Sequence, residues 1–159
     1  FILVIRHPQD EALWNLAGRF RFWHRRPGQV LMVARSQAAA VKARADGIHL
    51  AETQLLQPGR LNLRQLRRRF VVSAACHSHA AVRRARRYRV AWIVLSPIRH
   101  TASHPGRSPV SPRMTRLCVN AFQGPVYALG GMTLTDQKLI KRKGFQGIAG
   151  VGVGKTLFR

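Results

Sequence analysis

Acidic residues are the scarcest class in this chain: 5 Asp and Glu stand against 28 Lys and Arg, a formal net charge of +23. So few carboxylates leave little from which to build a Mg²⁺ site, which wants hard oxygen ligands. Cysteine is nearly absent as well. Cys76 and Cys118 are too few and too far apart for a disulfide framework, so a reducing cytoplasm is the expected setting. Cys76, His77 and His79 lack a second Cys/His cluster at zinc spacing, and no metal ligand is expected. No apolar run approaches the roughly 20 residues of a membrane span. Phe1–Ile5 is too short and lacks the basic flank of a signal peptide, and a first residue other than Met suggests a trimmed start.

What is present is a globular composition. Of the 159 residues 46% are hydrophobic, enough for one domain, 1–159, with its own core. The basic residues come in short clusters, Arg67-Arg68-Arg69, Arg83-Arg84, Arg86-Arg87 and Lys141-Arg142-Lys143 among them, and not as one tail. Such clusters read first as solvated helix faces, although a field of this sign attracts any polyanion and admits nucleic acid as a partner. Aromatic and basic residues interleave at Phe20-Arg21-Phe22-Trp23, but Leu13, Leu16, Phe20 and Trp23 recur at helical spacing, which predicts a core stripe there.

Short β-branched runs alternate with amphipathic segments. Strands are predicted at Phe1–Ile5, Val30–Val33, Ile48–Leu50, Phe70–Ala75, Val90–Leu95, Val126–Leu129 and Gln146–Ala149. Helices are predicted at Pro8–Trp23, Ser36–Ala45, Leu61–Arg69, Ser78–Tyr88, Met114–Val119 and Thr135–Lys143, with Ser96–Pro112 a long loop. Alternation of this kind implies parallel βαβ units with right-handed crossovers. Periodicity leaves open an eight-stranded barrel short of one unit and an open doubly wound sheet.

In either architecture ligands sit at the carboxyl ends of the strands. Two glycine turns fall there. Gly130 and Gly131 follow the sixth strand, and Gly150 and Gly152 follow the seventh. Glycine lets backbone N–H groups approach an oxyanion closely, so both turns are candidate phosphate cradles. The loop after the fifth strand carries Thr101, Ser103 and His104 with Arg99 and Arg107, a mix of hydroxyls and cations suited to phosphate. His77, directly after the fourth strand, is a candidate general acid/base.

Several segments, in order, resemble the thiamine phosphate synthase and TenI family. Ala45-Asp46-Gly47-Ile48-His49-Leu50 is similar to its ADGVHL strand, and Ala75-Cys76-His77-Ser78 to its S-x-H-[ST] turn. Leu95-Ser96-Pro97-Ile98 and the loop after it resemble GPIFPTPTKP, Ala128-Leu129-Gly130-Gly131-Met132 resembles AIGGM, and Gly147-Ile148-Ala149 resembles GVAVVS. Phe1–Arg6 resembles the family's second strand, LVQLRE. The resemblance implies an α/β fold, a (β/α)8 TIM barrel lacking its first β/α unit. It also implies as ligands a phosphorylated thiazole and a pyrimidine pyrophosphate.

In the synthase branch two aspartates hold Mg²⁺ on the pyrophosphate. The first belongs to an Asn-Asp pair that reads Ala34-Arg35 here, and the second ends a G-Q-E-D run that reads Ala51-Glu52-Thr53-Gln54. The resemblance therefore implies loss of the Mg²⁺ site and no cofactor, with Arg35 as a substitute positive charge. It implies Arg6 as a pyrophosphate contact, His104 in place of the phosphate-loop lysine, and Gly152 in place of a serine. The TenI branch, a thiazole tautomerase, also lacks the acids and uses a histidine matching His77. A TenI-like, metal-independent activity is thus the leading expectation. A degenerate ligand-binding paralog and a nucleic-acid-binding scaffold are the alternatives, and the sequence admits a homo-oligomer.

Overall fold

In a computed structural model of the chain, residues 1–21, 27–57, 62–101, 106 and 108–150 are described. Trp23, the end of the predicted core stripe, lies outside them, as do Ser103, His104 and Gly152. The chain divides into two compact units, the first Phe1–Ala74 and the second beginning at Ala75.

In the first unit, strands β1 (Ile2–Ile5), β2 (Val30–Ala34), β3 (Gly47–Leu50) and β4 (Val71–Cys76) pair in chain order, all parallel; β4 runs on past the boundary. Val33 faces Ile5 on one side and Ile48 on the other, which fixes the register at the centre of this sheet. Leu31, Met32, Val33 and Ala34 are buried in succession, as expected where both sheet faces are covered. Helix α1 (Asp10–Phe20) has acidic Asp10 and Glu11 in its first turn and Arg19 in its last, matching the helix dipole. It buries Leu13 and Ala17, one turn apart. Leu13 is wholly buried, a contribution of roughly 2 kcal/mol. Helix α2 (Gln37–Lys42) starts at Ser36, whose hydroxyl accepts the Ala39 N–H, and packs Ala39 and Ala40 inward. Helix α4 (Leu63–Arg69) starts at Asn62, whose side chain accepts the Gln65 N–H.

One helix of this unit is absent from the sequence reading. Helix α3 (Glu52–Leu56) occupies residues expected to be loop after β3. It is too short for periodicity to mark, and it is anchored by a single buried Leu55.

The second unit carries β5 (Trp92–Leu95), β6 (Val126–Ala128) and β7 (Gly147–Ile148), again parallel and in chain order. Helix α5 (His79–Arg87) is capped by Ser78, whose hydroxyl accepts the Ala81 N–H, and buries Ala81, Val82 and Ala85 while Arg83, Arg86 and Arg87 are exposed. Helix α6 runs Pro112–Ala121, longer at both ends than the predicted Met114–Val119. The reason is local: the Ser111 hydroxyl accepts the Met114 N–H, and Pro112 occupies the first turn, where its missing donor costs nothing. The predicted Thr135–Lys143 helix is in fact a tight 3₁₀ turn, Leu134–Asp136, followed by α7 (Gln137–Arg142). Gly144, at φ +84°, ends it as expected. The core of this unit is Cys76, Val82, Ile93, Leu95, Ile140 and Phe145.

Among the described residues no helix is long and apolar enough to cross a membrane.

Candidate functional site

The carboxyl ends of the first unit's strands are organised around Arg35. It follows β2 at φ +64°, a left-handed conformation that costs a non-glycine residue on the order of 1–2 kcal/mol. Its N–H donates to the His49 carbonyl at 3.0 Å. Its Nη2 donates to the carbonyls of His7 at 2.7 Å and Pro8 at 3.0 Å and meets Asp10 Oδ1 at 3.2 Å. The guanidinium therefore closes the turn between β1 and α1, a structural task that the sequence did not announce. Its carbonyl accepts from Gln54 Nε2 at 3.0 Å, and Gln54 Oε1 accepts the Ala51 N–H at 3.0 Å.

Arg35 and Gln54 stand where the resemblance puts the two metal-binding aspartates. A guanidinium and an amide bonded into the protein's own turns are not the hard anionic oxygens a Mg²⁺ ion requires, so these residues do not fit that ion. Among the described residues no group of three His, Cys, Asp or Glu is placed to hold a metal. Arg6 is exposed just after β1. Its charge acts on His49, whose pKa is lowered from 6.5 to about 4, first by burial and second by Arg6. His49 Nδ1 lies 2.8 Å from Ser73 Oγ.

The second unit holds the remaining candidates. His77 follows β4, with Nδ1 2.8 Å from the Ser96 carbonyl and 3.1 Å from Ser96 Oγ. A carbonyl can only accept, so Nδ1 carries the proton and the lone pair of the neutral ring is on Nε2. Pro97, the next residue, lies against the glycine turn after β6. Gly130 (φ +97°) and Gly131 (φ +64°) take conformations that side chains rarely adopt. A Cβ on Gly130 would sit 3.0 Å from Pro97 Cα, and one on Gly131 would sit 2.6 Å from the His100 carbonyl. Ile98 and Arg99 donate their N–H groups to the Leu129 and Gly130 carbonyls at 2.9 and 3.1 Å. Thus the dipeptide Ser96-Pro97 touches His77 on one side and Gly130 on the other.

A clamp absent from the sequence reading holds this turn. Asp136 accepts from the Thr133 N–H at 3.0 Å and the Thr133 hydroxyl at 2.8 Å, and receives a two-pronged contact from Arg99 at 2.9 and 3.1 Å. The Thr133 N–H above all, aided by its hydroxyl and by Arg99, holds the Asp136 carboxyl below the usual range. The signal available in the sequence was Thr133 three residues before one of the chain's few acids. Thr101 is half-buried after β5, and Gly150 is exposed after β7.

Parallel βα units in chain order define the class: an α/β protein of the barrel kind. The family described as thiamine monophosphate synthase matches residues 1–153, and the chain belongs to it. A protein assigned as a second thiamine-phosphate synthase in Aquifex aeolicus is 30% identical over 145 residues, 91% of this chain and 76% of that one. A thiamine-phosphate synthase of Synechococcus is 26% identical over 79% of this chain, which spans 35% of its length. Among solved structures, thiamine phosphate pyrophosphorylase from Pyrococcus furiosus superposes with a TM-score of 0.69 at 16% identity, over 94% of this chain and 70% of that one. This last likeness is one of fold and bears out the α/β barrel class expected from the sequence.

Proposed function

We propose that the chain grips a thiazole phosphate and moves a proton on the thiazole ring, with His77 as acid/base and no metal. The observation that carries this reading is the placement of His77 and Gly130 on either side of Ser96-Pro97. Ser96 orients the imidazole so that Nε2 can take a proton from a ring carbon. The imidazolium that forms is stabilised by its Nδ1–H on the Ser96 carbonyl, and Nε2 then returns the proton to another position. The glycine turn supplies the phosphate grip, since among the described residues none accepts from the N–H groups of Gly131 and Met132. Thr101 and Gly150, in the same unit, are the further phosphate contacts of this reading. Arg35 and Gln54 in place of the metal acids favour proton transfer over the Mg²⁺-dependent coupling of a pyrimidine pyrophosphate.

Calorimetric titration with thiazole phosphate, with and without Mg²⁺, is the first test, and saturable binding that ignores Mg²⁺ is expected. His77→Asn should then lower tautomerase kcat by about 10²–10⁴-fold, the usual worth of a general acid/base, with affinity little changed. Unchanged turnover in His77→Asn would remove the histidine from the chemistry. Binding without turnover in the parent protein would favour the degenerate paralog.

A further inference from the structure

The second unit carries a basic groove that the proposed reaction does not use. It measures about 630 Å³ and lies between α5 and the end of α6. Arg83, Arg86, Arg87 and Arg89 line it, with His79 at one end of the row and Gln123 on the α6 side. Among the described residues no acidic side chain lines it and no carboxylate pairs with any of these arginines. Arg86 leans on the α6 C-terminus, donating to the Ala121 carbonyl at 3.4 Å. That carbonyl end is the negative pole of α6, so it draws the guanidinium in and steadies one wall.

Spacing and chemistry narrow the ligand. His79, Arg83 and Arg87 are successive positions four apart on α5, one face of the helix spanning about 12 Å. One strand of a nucleic acid advances about 3.4 Å per phosphate, so the row matches roughly three to four phosphates. A single phosphate would leave most of these cations uncompensated. The guanidinium fork suits phosphate oxygens better than a point charge does. A concave groove does not fit the flat surface of a membrane. Among the described residues no aromatic side chain lines the groove and Ala121 is its only apolar lining, so they offer no platform on which a base could stack.

We propose that this groove binds the phosphodiester backbone of nucleic acid, without reading sequence. The site is independent of the thiazole phosphate reading.

The test is fluorescence anisotropy of the whole chain with a labelled, mixed-sequence single strand of about 12 nucleotides. Arg83→Gln/Arg87→Gln should weaken binding at least about tenfold and reduce the log–log salt slope by about 2. A control with the same charge change on another exposed helix, Arg67→Gln/Arg68→Gln, should change affinity less than about threefold. Thermal unfolding of both variants checks that each is folded, and thiazole phosphate affinity should be unaltered in both. Equal losses in the two variants would show that only the overall field binds, which overturns the groove. So would undiminished affinity in Arg83→Gln/Arg87→Gln, a strong preference among base compositions, or binding to phosphatidylserine vesicles but not to the oligonucleotide.

Discussion

His49 shows how a single residue ties this fold to pH. Its side chain lies in β3 beside Ser73, and burial, with the Arg6 charge second, lowers its pKa from 6.5 to about 4. The unfolded chain takes up a proton near pH 6.5, whereas the folded chain does so only near 4. Between those values the unfolded state binds more protons, so stability is full above about 6.5 and is lost as pH falls through the window. The linked loss is roughly 3 kcal/mol. His49→Asn retains a polar partner for Ser73 and cannot titrate. Denaturant midpoints measured from pH 7.5 down to 4 should therefore fall less steeply in the variant, and parallel curves would sink the assignment. Arg35 makes a complementary point. Read from the sequence it is a spare cation near a phosphate; in the structure its guanidinium is a turn closure and its carbonyl an acceptor for Gln54. A side chain's charge is legible in a sequence, but the neighbours that engage it are not.

At the scale of the element, Ala45–Leu50 is one of the segments that carried the family resemblance, and its residues prove to be structural. Asp46 Oδ2 accepts the Leu31 N–H at 2.8 Å, and the Asp46 N–H donates to the Leu31 carbonyl at 2.9 Å, so one residue ties the start of β3 to β2. A Cβ on Gly47 would sit 2.3 Å from the Val71 carbonyl and 2.4 Å from Met32 Sδ. The carbonyl belongs to a paired strand and cannot give way, so the sheet itself excludes a side chain there. Gly47→Ala is expected to cost about 3 kcal/mol, at the upper end for overpacking, read as a lowered urea midpoint. A shift below about 0.5 kcal/mol would mean that β3 and β4 separate easily. The strands were legible as apolar runs, α1 and α5 by their apolar spacing and α2 by its cap Ser36, whereas the Ser111 start of α6 went unread. Helix α3 and the Asp136 clamp were not. Neither depends on periodicity, and both depend on contacts between segments that the sequence does not order: Gln54 with Arg35, and Asp136 with Arg99. The candidate site was legible to the same degree. His77, Gly130 and Gly131 were visible as residue types after strands, but the dipeptide that brings them together was visible only as a loop.

For the whole molecule the dominant quantity is a net charge of +23 carried by 159 residues. With 28 basic and 5 acidic residues, at most a small share of the cations can be paired within the chain. The rest repel, and because unfolding moves them apart, repulsion subtracts from the stability of the compact state. Salt should reverse that loss. Raising KCl from about 20 to about 300 mM shortens the screening length from roughly 20 Å to under 8 Å, less than the separation of most surface charges. The melting temperature is expected to rise by roughly 3–6 °C over that range, corresponding to about 1–2 kcal/mol for a chain of this size. Potassium sulfate at equal ionic strength should raise it further, since a divalent anion at an arginine cluster binds the folded state and adds a mass-action contribution. The two effects separate in Arg83→Gln/Arg87→Gln: the chloride response should persist almost whole, while the additional sulfate response should shrink. A melting temperature that falls or stays flat in KCl would mean that the arginines are already compensated, and the field would then have no surplus with which to attract a polyanion.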